Sequence, residues 1–152
     1  MSPLYGQVLV TRSIRWGPPT IAPRSGMRRE RFMELVAEAL DDLPKEFQRR
    51  IQNVAMLVED VPEAQRQQRR RSPPRPRSIQ PRRLILGHYI GTPLTERSVF
   101  AVPGGPDRII LYQENIEAVC HNEDEVREQV RLTVIHEVGH YFGLSEEQLR
   151  DV

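Results

Sequence analysis

The sequence predicts an α+β domain with two long helices, one near each end, and short strands between them. Three observations predict it. Residues 28 to 43 carry one apolar stripe at helical spacing. Apolar runs at 53 to 60, 84 to 90 and 108 to 112 have the length of strands. Residues 123 to 142 follow a helix cap and turn increasingly apolar. At 152 residues the chain suits a single domain with one modest core.

Residues 1 to 26 are rich in Pro, Gly and Arg. Val8-Leu9-Val10 has the composition of a short strand, but Gly17-Pro18-Pro19 and Pro23 break any regular element. The segment is expected to be an extended arm, either draped over the domain through Trp16 and Ile21 or disordered. A single domain is expected from residue 27 to residue 152.

In the first helix, Phe32, Leu35, Val36, Ala39, Leu40 and Leu43 fall on one face. Pro44 cannot continue that helix but can sit in the first turn of another, with Phe47 and Ile51 on its buried side. Residues 53 to 60 are almost continuously apolar, which predicts a strand covered on both faces. Residues 62 to 83 hold eight arginines and five prolines without apolar periodicity, which predicts a disordered loop. Two readings fit it: a solvated insertion between strands, which is preferred, or a polyanion-binding arm reaching nucleic acid through Arg66 to Arg83. The segment has no aromatic residue to stack on bases.

The next strand, 84 to 90, is closed by Gly91 and Pro93, and Ser98 to Ala101 is a candidate short strand. After the turn at Pro103 to Asp107, residues 108 to 112 are expected to pair antiparallel with one of the other strands. Residues 114 to 119 suit a turn or two of helix. Asn122 is a good N-cap, Glu125 can complete a capping box, and Glu123 and Asp124 suit the positive end of the helix dipole. Gly143 suits the left-handed residue after the helix, and Ser145 can cap a last short helix through Glu147 and Leu149.

The final long helix carries His136-Glu137-Val138-Gly139-His140. On a helix turning about 100° per residue, the two histidines and the glutamate share one arc. Two imidazoles at i and i+4 can converge on one zinc ion, with a carboxylate beside them to accept a proton from water. Catalytic zinc usually has three protein ligands and an open position. Gly143 lets the chain reverse, which brings Glu146 back towards the histidines and makes it the leading third ligand. Glu147, Glu114 and Glu117 are the alternatives.

H-E-x-x-H-x-x-G-x-x-E resembles the extended zincin metallopeptidase signature. The chain further resembles the mini-zincins, a bacterial family of very small zinc metallopeptidases. The matching stretches are Arg31 to Pro44, Asn53 to Ala55, Leu86 to Leu94, Pro106 to Tyr112 and Thr133 to Glu147, which together cover most of residues 28 to 149. The resemblance implies a minimal zincin-like core: a small mixed β-sheet packed against an N-terminal helix and a central active-site helix. It implies zinc held by His136, His140 and Glu146, with Glu137 as general base and a peptide or protein as substrate. It also implies a cleft-rimming strand that binds substrate by strand addition, here placed at 108 to 112 with Arg108, Ile110 and Tyr112 as the contact residues. Aspartate is more usual where this chain has Glu146.

Composition bounds the rest. A net charge of +1 argues by itself for neither nucleic acid nor membrane. The single cysteine, Cys120, excludes an internal disulfide and a cysteine zinc cluster, and it reads as a small buried hydrophobe. His88 and His121 read as a strand-face residue and a helix-flanking residue. No leader and no run of membrane-spanning length is evident, so a soluble cytoplasmic protein is expected. The sequence stops six residues after Glu146 and has no methionine beyond the motif, so neither a C-terminal subdomain nor a methionine turn is expected. Tyr112 and Tyr141 are the candidates to stabilise an oxyanion. A zinc-binding protein with little or no turnover is the first rival to a peptidase, and a polyanion-binding protein the second.

Overall fold

A computed structural model describes residues 26–71, 84–98, 100 and 105–149, together with the backbone of residues 14–16. The chain runs through β1 (Ile14–Trp16), α1 (Arg29–Asp41), α2 (Lys45–Arg50), β2 (Val54–Glu59) and α3 (Glu63–Arg71). It continues through β3 (Gly87–Ile90), a 3-10 turn (Leu94–Glu96), β4 (Asp107–Tyr112), α4 (Gln113–Ala118), α5 (Glu123–Tyr141) and α6 (Glu146–Leu149). The sheet order is β1-β2-β4-β3. β1 and β4 flank β2 in parallel, and β3 runs antiparallel to β4, so the sheet is mixed as expected.

One face of this sheet carries the core. Val54, Met56 and Val58 of β2 and Ile109 and Leu111 of β4 pack with the stripe of α1, led by Phe32, Leu35, Val36 and Leu40. To the same core α5 contributes Val126, Val130, Val134, Val138 and Tyr141. Each fully buried side chain of this size contributes roughly 1.5–3 kcal/mol. At the surface Arg31 bonds Glu123 of α5 as well as Glu34 of its own helix, which fixes the rotation of α1 on α5. Among the described residues no helix is long and apolar enough to cross a membrane.

Four expectations change. The N-terminal arm contributes an edge strand, β1, at residues 14–16, where Ile14 pairs with Val54. The candidate strand at Val8 to Val10 and the docking of Trp16 and Ile21 lie outside the described residues. The loop expected at 62 to 83 begins as a helix, α3, and residues 72–83 lie outside the description. α3 buries no residue and is held by polar contacts instead. Gln65 exchanges two hydrogen bonds with Asn115, Arg69 bonds Glu114 at 2.7 Å, and Arg66 pairs with Glu59 and Glu63. β2 is buried on alternate residues, so it is covered fully on one face and only partly on the other. The strand expected at 98 to 101 is not seen at its described positions: Ser98 is irregular and Phe100 lies in a turn, 94% exposed.

Candidate metal centre

The helix that carries the motif is fixed at both ends. At its start the Asn122 carboxamide oxygen accepts the Glu125 N–H at 2.9 Å, and Glu125 reaches back to accept the His121 N–H at 2.8 Å. This is a capping box in which the returning glutamate lands one residue before the cap. At its end the Leu144 N–H bonds Gly139 O at 3.0 Å and the Gly143 N–H bonds His140 O at 2.9 Å. Those two bonds make a Schellman motif, with Gly143 at φ +86°. A side chain at 143 would also strike Thr95 of the 3-10 turn. Both conditions select glycine, and the chain reverses there.

The reversal brings three donors together. His136, His140 and Glu146 present ligand atoms that all lie within 4.8 Å of one another. The two Nε2 atoms are 3.1 Å apart, and Glu146 oxygens lie 2.9 Å from His140 Nε2 and 3.5 Å from His136 Nε2. Tetrahedral nitrogen and oxygen ligands about 2.0–2.1 Å from zinc sit roughly 3.3 Å from each other. The spacing and chemistry of the three donors therefore fit a zinc ion. Glu147 is exposed and outside the group. Glu114 is engaged by Arg69, and Glu117 accepts from Gln113 at 2.6 Å and from the Met27 N–H.

Glu137 follows His136 directly on the helix but is not in the donor group. It is 6% exposed, and burial pushes its carboxyl above the ordinary range, while His136, His140 and a backbone hydrogen bond from Tyr89 act the other way. A cavity of about 410 Å³ opens beside Glu137 and His136, walled by Leu86, Leu132, Ile135 and Leu149. Leu132 and Ile135, apolar residues in the second half of the helix, thus line a cleft.

The strand at the cleft is β3 rather than β4. Both edges of β4 are occupied, by β2 on one side and β3 on the other, so it has no backbone groups left to add a substrate strand. Ile110 and Tyr112 are buried, and only Arg108 is exposed. The strand addition expected at Arg108, Ile110 and Tyr112 therefore finds no free edge on β4. β3 has a free edge among the described residues and packs on α5, where Gly87 lies against Thr133 and Glu137. The bond from Tyr112 N–H to Leu86 O sets the phase of the ladder. Residues 86, 88 and 90 bond β4, and Gly87 and Tyr89 turn their backbone groups outward. The sequence signal for this was a glycine inside a strand pattern, which marks close backbone approach.

Tyr141 is 1% exposed, and its hydroxyl is spent on Arg50 O and the Gln52 N–H. Tyr112 is 5% exposed, and burial raises its phenol. His88 is exposed on β3, His121 bonds Glu125, and Cys120 is half-buried against the core with its thiol pushed up by burial.

Residues 51–152 match the family model of the zincin-like metallopeptidases. No curated protein matches the chain. Among solved structures it is similar to a conserved hypothetical protein from Thermo thermophilus, at 26% identity over 75% of this chain and 92% of that one, with a TM-score of 0.45. The family match spans about two thirds of the chain, including the whole of α5 and the turn after it, and on that ground the chain belongs to the zincin-like metallopeptidase family.

Proposed function

We propose that the protein is a zinc-dependent peptidase in which His136, His140 and Glu146 hold the ion and Glu137 is the general base. The observation that carries this reading is the convergence of two imidazole nitrogens and a carboxylate at zinc-ligand spacing beside a buried second carboxylate. When bound, zinc supplies Lewis acidity and brings the pKa of a coordinated water to about 7.

The protein's own part is proton transfer and positioning. Glu137 takes the proton of the attacking water on a carboxylate oxygen and delivers it to the departing amine. Gly87 of the edge strand lies against that carboxylate. A substrate backbone lies along the outer edge of β3, where the remaining outward groups of Gly87 and Tyr89 accept it as an added strand. Its side chain beside the scissile bond enters the cavity walled by Leu132 and Ile135.

The test is incubation of the zinc-loaded protein with an unstructured polypeptide such as β-casein, followed by mass spectrometry of new termini. The expected result is cleavage that stops with chelator and returns when zinc is restored. Substrate that stays intact with a full complement of bound zinc would contradict peptidase function.

A further inference from the structure

The Glu146 side chain is 69% exposed, and its polar contacts among the described residues are the two histidines. Its surroundings therefore do little to place it, and its position must come from the backbone of 144–149. That segment is tied at its start by the Schellman bonds at Gly143 and Leu144. Its far end is Leu149, 6% exposed, on a helix of four residues too short to stand by itself. Ser145 and Gln148 exchange hydrogen bonds at 2.8 and 3.4 Å, and the Leu149 N–H bonds Ser145 O. The segment from 145 to 149 thus moves as one small unit.

What seats that unit is a notch in α5. Gly139 lies between the two histidines in sequence and is buried. A Cβ placed on it would stand 2.3 Å from Leu149 Cδ2, and the three nearest atoms all belong to Leu149. The missing side chain at 139 is the space that the leucine fills. Glycine in a helix interior is disfavoured by about 1 kcal/mol relative to alanine, so its presence here calls for such a compensating contact.

We propose that Leu149, seated in the Gly139 notch, is the positioning residue for Glu146, so that zinc affinity depends on a leucine that offers no ligand atom. This rests on the zinc reading above. The latch joins the returning tail to the same turn of helix that carries His136 and His140. The donors are thereby set relative to one another before any ion arrives.

The test measures zinc affinity by competition with a chromogenic chelator, alongside the urea midpoint of the zinc-free protein, for three variants. Gly139→Ala should weaken zinc binding by about tenfold or more, the scale on which supporting groups act. Its zinc-free midpoint should stay level or rise, because alanine is the better helix former. Leu149→Ala should weaken zinc similarly. Combining Gly139→Ala with Leu149→Val moves a methyl group from one side of the contact to the other and should restore most of the affinity. A purely structural role predicts lower zinc-free stability with zinc affinity unmoved, and that result overturns the proposal while leaving the zinc site standing. Wild-type protein that binds no zinc would overturn the zinc reading itself.

Discussion

Glu137→Gln is expected to lower peptide hydrolysis by about 10²- to 10⁴-fold while leaving zinc in place. The amide has nearly the same shape as the carboxylate, so the packing of Gly87 against α5 is expected to stay as it is. The residue lies outside the group of His136, His140 and Glu146, so removing its charge takes away no donor. What it loses is the ability to take and return a proton. The measurement is kcat on a defined peptide together with the zinc content of the same sample. Hydrolysis unchanged by the substitution would remove Glu137 from the proton path.

Chelation is expected to lower the thermal midpoint by roughly 5–10 °C when zinc is initially present at about a hundred times its dissociation constant. An ion that binds only the folded chain stabilises it by about 2.7 kcal/mol under those conditions. The stabilisation is expected to act at the turn after α5. Among the described residues the polar partners of Glu146 are the two histidines and the buried residue of α6 is Leu149, so the ion would add a fastening there. In His136→Ala the midpoint should no longer respond to chelator, since two donors do not make a closed site. The comparison is a pair of melting curves for each protein, and equal chelator responses in both would place the ion elsewhere.

The motif-bearing helix was legible because its signals are local. Asn122 and Glu125 cap it, Gly143 ends it, and the i, i+4 spacing of the histidines places both on one arc whatever surrounds them. α1 was legible for the same reason, through a stripe that buries Phe32, Leu35, Val36 and Leu40. Elements whose stability comes from elsewhere were not. α3 has no apolar face, and it is held to the rest of the fold by polar contacts with residues such as Glu59, Glu114 and Asn115. β1 is three residues long and exists because β2 offers a free edge. The place of β4 inside the sheet, between β2 and β3, is a matter of strand order, to which an apolar run is blind, and it leaves the free edge to β3. The Gly139 notch is a contact across ten residues of chain that periodicity does not record.

His136, His140 and Glu146 are proposed to hold one zinc ion. The zinc content of freshly purified protein, with no chelator in any buffer, tests this most directly, beside His136→Ala and Glu146→Ala. One zinc per chain is expected in the wild type, and its loss from both variants. A wild type without zinc, or a Glu146→Ala variant that retains it with undiminished affinity, would contradict this ligand set.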